Sequence, residues 1–469
     1  MPRIRGICLT LCIGAGLVWL SCDVSDPDHP PVVNPDKANA NSMVTAEKIV
    51  GSADKRTSLW DIVPAGPGEY YFEGPYNSST GVGALGVGNS PQWFVSTVYS
   101  PGQIFSLAAS SPVSRGLLQI GTRDTDGDGN AEQSCVSVYN LQGGLASQLF
   151  YASDSSDIRF NSIDALSDSL FLVAGSERSN SGKYPLLATI VLTPTGALEK
   201  RQQIMISAMT KRNFNIIAVD KSSILPTQVS FFALVPVSGS TEGATEIQKI
   251  TVGLPSLSPR TSDWVTPLVT NSGAKAAWAA MRTYSNAIYL VGNVEDPSKT
   301  PAPSGGGYWT SGLVACFNLE GEKLWEKDVS VSKHADTFSD LVAGAERLYA
   351  VGHAAAYKDV DSGHSLGYAL ATEIDLATGD VIRSMTFGWD FDYSGVNGAT
   401  ISGSTISCAG FAHEETGETF VGWYFEIDVS GGNLEACRQL PRAINLPDAG
   451  DAGIIDKNDS DIAPEQDRD

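Results

Sequence analysis

Short apolar stretches that end near a glycine recur along the middle of the chain at a nearly constant spacing. They begin at residues 117, 170, 231, 288, 348 and 406, so the intervals are 53, 61, 57, 60 and 58 residues. Five copies end in glycine, at 121, 175, 292, 352 and 410, and the copy at 231–235 lacks it. A short apolar run bounded by turn residues predicts a buried β-strand.

A second strand and a tight turn follow each of these runs. The clearest examples are residues 313–321, which lead to Trp325, and residues 369–379. Apolar and polar residues alternate there before an Asn or Asp and a Gly, which is typical of a hairpin. Several strands in a unit of about 55–60 residues predict an all-β fold of the β-propeller kind, because each unit buries its faces only against its neighbours. A pair of β-sandwiches is the alternative, and the fixed period argues against it.

The number of blades is predicted by counting the repeats. Six repeats are visible, and residues 60–114 have room for one more. We therefore expect seven blades, with six or eight left open.

The turns of two hairpins have a distinctive spacing. Asn318 precedes Gly321 and Trp325, and Asp375 precedes Gly379. This pattern resembles the repeats of PQQ-like bacterial propellers over about residues 120–440. The resemblance implies the fold and not PQQ chemistry, because no convergent set of metal-binding and quinone-binding residues is visible. We expect Trp325 to pack between strands.

Composition restricts the function and marks the ends of the chain. The net charge is 31 − 53 = −22, and 42% of the residues are hydrophobic. Such acidity repels phosphate, so nucleic acid is not an expected partner, while the apolar content suffices for a core. Residues 442–469 hold three basic and eight acidic residues and no aromatic one, which predicts a disordered acidic tail. Residues 22–58 are rich in Pro and lack periodicity, which predicts a flexible tether. The propeller is then expected over 59–441.

The N-terminus has the pattern of an export signal. Arg3 and Arg5 precede an uncharged apolar run that ends in Ser21 and Cys22, and acidic residues follow. This resembles a bacterial lipoprotein signal. The bulky Trp19, at the third position before Cys22, resembles the relaxed lipoprotein signals of spirochaetes. The resemblance implies that residues 1–21 are removed, that Cys22 is acylated with palmitate-type chains, and that the protein is lipid-anchored in the bacterial envelope. An ordinary cleaved signal and an N-terminal membrane helix are the alternatives.

The other cysteines of the mature chain are Cys135, Cys316, Cys408 and Cys437. Four cysteines outside the cytoplasm allow three disulfide pairings, which the sequence does not distinguish. Each lies in an apolar or alternating stretch, so we expect most of them to be buried thiols.

One loop carries the chemistry of a cation site. Residues 124–132 read Asp-Thr-Asp-Gly-Asp-Gly-Asn-Ala-Glu, and oxygen side chains alternate along them. Ca²⁺ prefers six to eight oxygen ligands, and Cys135 at the twelfth position excludes an EF-hand. The loop resembles those of integrin-type propellers, which implies a structural calcium site. Its ligands would be Asp124, Asp126, Asp128, the carbonyl of Asn130, and Glu132. A solvated acidic hairpin tip is the alternative.

The remaining motifs suggest no reaction. Nucleophile motifs, phosphate loops and dinucleotide-binding glycines are absent from the sequence, and His353 and His413 lie just after the repeat's glycine, so we expect them near one face. We assign no catalytic residue and no organic cofactor. The leading hypothesis is a non-enzymatic binding or scaffold propeller for an unknown protein or glycan partner. The alternative is a propeller hydrolase, lyase or quinoprotein, which a ring of Arg, His and carboxylates at the channel mouth would favour.

Overall fold

The computed structural model shows an all-β protein. It describes residues 44–50, 59–66, 69–76, 79–85, 91–97, 105–113, 116–123, 133–151, 156–179, 182–206, 214–236, 245–254, 257–259, 263–299, 310–332, 335–358, 365–387, 393–413 and 420–430. Contacts divide the chain into Met1–Pro35 and Asp36–Asp469, and every described residue lies in the second unit. The helical residues in the described ranges form one short 3₁₀ turn, Lys221–Ser223, which confirms the predicted class.

The strands form small antiparallel sheets in chain order. The first strand among the described residues is β1 (Val44–Val50). Sheet I contains β2 (Asp61–Gly66), β3 (Glu69–Tyr76), β4 (Ser79–Leu85) and β5 (Pro91–Thr97). Sheet II contains β6 (Phe105–Val113), β7 (Gly116–Arg123), β8 (Gln133–Asn140) and β9 (Leu145–Tyr151). Sheet III contains β10 (Ser156–Ser167), β11 (Leu170–Ser179), β12 (Gly182–Leu192) and β13 (Leu198–Met205).

The next two sheets repeat this order. Sheet IV contains β14 (Ile216–Val219), β15 (Gln228–Pro236), β16 (Thr245–Gly253), β17 (Ser258–Pro259) and β18 (Trp264–Pro267). Sheet V contains β19 (Ala276–Tyr284), β20 (Ala287–Glu295), β21 (Thr310–Asn318) and β22 (Lys323–Val329). The repeated runs of the sequence are thus the second strands, and the hairpin strands after them are the third.

Sheet VI has eight strands in two groups. Group VIa contains β23 (Ala335–Ala343), β24 (Arg347–Lys358), β25 (Ser365–Asp375) and β26 (Val381–Phe387). Group VIb contains β27 (Tyr393–Ser402), β28 (Thr405–His413), β29 (Phe420–Asp428) and β1. The groups are joined by the parallel pairing of Gly367 with Tyr393.

The pairing of β1 with β29 corrects one boundary. Val44 pairs with Ile427 and Val50 with Gly422, so a strand from the start of the chain completes the last group. Residues 44–50, which fall within the tether predicted over 22–58, therefore form a strand. This strand was not predicted, because residues 44–50 have no regular alternation of apolar and polar residues.

The first strands of successive groups are neighbours. β2 lies beside β6, β6 beside β10, and the series continues through β14, β19, β23 and β27 until β27 lies beside β2. Apolar clusters fill the spaces between consecutive groups, including the space between VIb and sheet I, where Leu59 and Phe72 pack with Tyr424. Each buried Phe or Leu side chain stabilises the fold by about 1.5–3 kcal/mol. The hydrophobic stabilisation of the core therefore comes mainly from the packing between groups. The arrangement is propeller-like.

The described cysteines are buried, and Trp325 packs between strands, as predicted. Cys135, Cys316 and Cys408 are buried, and Cys316 and Cys408 are free thiols. Cys437 lies outside the described residues. Trp325 packs on Tyr289, with ring centroids 6.0 Å apart, which confirms its role in packing.

Candidate functional site

A bulge near the middle of five of the first strands shapes the interior of the molecule. In β23 the register shifts between Phe338, which pairs with Gly352, and Asp340, which pairs with Val351. β6, β10, β19 and β27 have the same shift opposite the repeat's glycine. The bulge turns the following residues of each first strand toward the common interior.

The first strands of six groups line an open cavity of about 570 Å³. Its described lining comes from β2, β10, β14, β19, β23 and β27 and from residues beside them. The charged lining residues are Asp61, Asp164, Lys221, Arg282 and Asp340. The described part of the lining contains no histidine and no cysteine.

Asp340 connects three adjacent first strands. Its Oδ1 accepts hydrogen bonds from Arg282 Nη2 at 3.0 Å and from the Leu341 amide at 2.8 Å. Its Oδ2 accepts one from the Ala399 amide at 3.1 Å. The carboxylate is buried, whereas about half of the Arg282 side chain (51%) is exposed. The pair therefore ties β19, β23 and β27 together.

Asp164 makes a similar connection on another part of the wall. Its Oδ2 accepts a hydrogen bond from the Val219 amide at 2.8 Å, and its Oδ1 accepts one from Lys221 Nζ at 2.5 Å. Thr283 Oγ1 donates to the Val219 carbonyl at 3.0 Å. These bonds connect β10, β14 and β19.

Uncharged residues of the first strands also form hydrogen bonds to the backbone of a neighbouring group. Asn161 Nδ2 donates to the Phe214 carbonyl at 2.9 Å, and Asn397 Nδ2 donates to the Leu59 carbonyl at 2.7 Å. Both asparagines stand at the bulge of their strand. The Ser162 hydroxyl accepts a hydrogen bond from the next group's Ile217 amide. The polar positions after the bulge thus connect one group to the next.

The electrostatics of the cavity centre on Arg282. Asp340 raises the pKa of its guanidinium against the opposing effect of burial, and Asp61 and Asp164 raise it further. Two cations and three carboxylates line the cavity, so its described charge is 2 − 3 = −1. Both oxygens of Asp164 and of Asp340 accept protein hydrogen bonds. These hydrogen bonds hold the two carboxylates in place on the wall of the cavity.

The predicted calcium loop lies outside the described residues, as do Asp124, Asp126, Asp128, Asn130 and Glu132. The structure describes its two ends, where Arg123 of β7 pairs with Gln133 of β8. The nine residues therefore join two neighbouring strands of one sheet. Cys22 also lies outside the described residues. Within the described ranges, no group of three or more metal-ligating side chains is present.

The two histidines that follow the repeat's glycine meet in one aromatic cluster. His353 contacts Tyr393 at 5.9 Å, and His413 contacts Phe420 at 5.2 Å between ring centroids. Phe411 stacks on Tyr393 at 5.6 Å and completes the group. The sequence placed the two histidines near one face, and the structure brings them to the same end of sheet VI.

The charged residues of the cavity were not found by sequence reasoning. A signal was present, because Asp164 and Arg282 each stand six residues before the repeated strand of their unit, at 170 and 288. Asp340 and Ser162 each stand eight residues before theirs. Comparing the units at these offsets would have shown the polar positions.

None of the described segments is a helix long and apolar enough to cross a membrane.

Comparison with known proteins adds no family. No family model matches the chain, and no curated protein matches it. Among solved structures, the chain is similar to the polysaccharide lyase Uly1 at 8% identity and a TM-score of 0.48, over 83% of this chain and 100% of that one. It is similar to the phage phi92 endosialidase at 7% identity and a TM-score of 0.46, over 86% and 71%.

A third similar structure is an inactive virginiamycin B lyase from Staphylococcus aureus with quinupristin. The identity is 9% and the TM-score 0.45, over 81% of this chain and 99% of that one. At these identities and TM-scores, neither an activity nor a residue role is carried over to this chain.

Proposed function

We propose that the chain is a seven-bladed β-propeller. The support is internal to the molecule: sheets I to V and groups VIa and VIb give seven successive units, and each first strand lies beside the next. The addition of β1 to β29 would then join the two ends of the ring. Such joining removes the exposed edge that an open last blade would leave.

We further propose a non-enzymatic binding or scaffold role in the bacterial envelope, with a lipid anchor at Cys22. The observation that carries the role is the engagement of the cavity carboxylates. Asp340 and Asp164 accept hydrogen bonds from backbone amides of neighbouring strands and from a cation. Through these contacts the two carboxylates join neighbouring first strands, which is a structural use of their side chains.

The anchor and the role are tested in cells that produce the protein. Wild type and Cys22→Ser are compared by labelling with an alkynyl palmitate analogue and by membrane fractionation. We expect label and membrane association in the wild type and their loss in the variant. Equal labelling of the two proteins would contradict the anchor.

The partner is sought by crosslinking on the same cells. The first surface to test is the aromatic cluster, through Phe420→Ala, with Val269→Ala at an exposed site (64%) as the control. We expect one crosslinked species that only Phe420→Ala loses. A pattern that is unchanged in both variants would remove this cluster as the binding surface.

The alternative is a propeller enzyme, and the half-exposed Arg282 beside three carboxylates is the observation that favours it. Purified protein is incubated with envelope polysaccharides, and new reducing ends and unsaturated products are measured. Release that Arg282→Gln abolishes, with folding intact, would support the enzyme and contradict the scaffold.

A structural calcium ion at 124–132 is part of the same proposal. Four carboxylates in nine residues repel one another, and a bound divalent cation relieves that repulsion. We expect the melting temperature to rise with millimolar Ca²⁺, to fall with chelator, and to lose both responses in Asp126→Ala. A melting temperature insensitive to Ca²⁺ in the wild type would contradict the site.

A further inference from the structure

Arg282 has more hydrogen-bond donors than the fold uses. A guanidinium carries five N–H groups, and among the described residues Arg282 donates to Asp340. Its side chain lines the cavity and is half exposed there. The bond to Asp340 therefore uses only part of the donor capacity of a side chain that lines the cavity.

The charges around Arg282 restrict what those donors can bind. A planar guanidinium favours a carboxylate or another oxyanion, which it can hold through two parallel hydrogen bonds. Asp61 and Asp164 also line the cavity, and the described lining is negative overall. A ligand that brings only negative charge would be repelled by these carboxylates, whereas one that also carries a positive group would not.

Asp164 has the capacity to receive such a positive group. An ionised carboxylate offers about four acceptor positions, and Asp164 uses two of them, for the Val219 amide and Lys221 Nζ. Its side chain is 26% exposed, so part of it is reachable from solvent. β14 lies between β10, which carries Asp164, and β19, which carries Arg282. Arg282 and Asp164 are thus on different strands of the wall, with β14 between them.

The size of the cavity agrees with a small ligand. Small-molecule sites usually occupy about 300–1,000 Å³, and this one has about 570 Å³. The lining also includes the exposed Trp60, which offers an apolar surface. An amino acid or a short peptide has the required charges within these dimensions.

We propose that the cavity binds a small zwitterion, an amino acid or short peptide, whose carboxylate pairs with Arg282 and whose ammonium group faces Asp164 and Asp61. The inference rests on the propeller arrangement of the first strands and is independent of the partner role. Loss of ligand binding with crosslinking intact would therefore remove this inference alone.

Binding is tested on the purified protein with defined probes. The probes are L-alanine, L-glutamine and glycylglycine, with N-acetyl-L-alanine lacking the ammonium and L-alaninamide lacking the carboxylate. We expect at least one zwitterion to raise the melting temperature by about 1–2 °C when present well above its Kd, and neither blocked form to do so. No shift with any zwitterion, or equal shifts with the blocked forms, would overturn the proposal.

Variants then locate the site. Arg282→Lys keeps a cation beside Asp340 but loses the planar fork, so the Kd measured by calorimetry should rise at least about tenfold. Arg347→Lys is the matched control, because Arg347 pairs with Glu373 and Asp375 on sheet VI, outside the cavity. Ala279→Phe places a ring in the cavity from an exposed position and leaves Arg282 intact, so it should also abolish binding. Unchanged affinity in a folded Arg282→Lys or Ala279→Phe protein would contradict the assignment.

Discussion

Sheets IV and VI contain the same sequence repeat and arrange their first strands differently. In sheet VI, Gly352 of β24 pairs with Phe338, and the bulge of β23 follows at once. In sheet IV, Val235 takes the place of that glycine. There β14 begins at Ile216, which pairs with Leu234, and its register has no bulge.

The difference explains why the repeat contains glycine. A Cβ atom built on Gly352 would lie 1.9 Å from the carbonyl oxygen of Thr337, and one on Gly175 would lie 1.8 Å from that of Arg159. The bulged first strand presses its backbone onto the second strand at this point, and only glycine leaves the space. The glycine of each repeat is therefore required by the close approach of the first strand, and it does not mark the end of the second strand.

The largest expected effect comes from filling that space. Gly352→Ala keeps an ordinary backbone conformation, so the added methyl group acts through its contacts with the backbone of Thr337 and Phe338. Since the obstacle is backbone and cannot rotate away, we expect a loss of at least about 3 kcal/mol in the free energy of unfolding, measured by urea denaturation.

Gly253→Ala in sheet IV is the matched control for this substitution. Its nearest neighbour would be the Thr227 carbonyl oxygen at 3.8 Å, an ordinary contact. We expect a change within about 0.5 kcal/mol. Similar losses in the two variants would contradict the explanation of the repeat.

A smaller effect is expected when the glycine is introduced where the bulge is absent. Val235 is fully buried, and Val235→Gly removes its contacts and adds backbone freedom. We expect the free energy of unfolding to fall by about 2 kcal/mol, with a smaller loss for Val235→Ala. A stability equal to that of the wild type would mean that sheet IV can adopt the bulge after all.

These residues also show how far the sequence could be interpreted. The second and third strands were predictable, because their apolar runs are short, bounded by turn residues and evenly spaced. The first strands were not, because a bulge breaks their alternation, and Asp340 or Arg282 within them looks like an ordinary surface residue. The cavity forms where residues from units about 55–60 positions apart come together as the sheets stack. The sequence of a single unit does not contain this information.

The smallest effect tests the residue directly after the glycine of sheet VI. Burial lowers the pKa of His353 from its usual 6.5, and Asp336 opposes this only in part. The unfolded chain therefore binds more protons near and below pH 6.5, so this part of the stability is present above that pH and is lost on acidification. His353→Phe keeps a ring against Tyr393, and we expect it to lose less stability than the wild type between pH 7 and pH 5, by under about 1 kcal/mol. Tyr393→Phe is the control, because burial raises the pKa of its hydroxyl and it does not titrate in this range. The prediction is wrong if the free energy of unfolding changes equally with pH in the wild type, in His353→Phe and in Tyr393→Phe. In that case protonation of His353 is not coupled to folding, and the cluster stabilises the fold through packing alone.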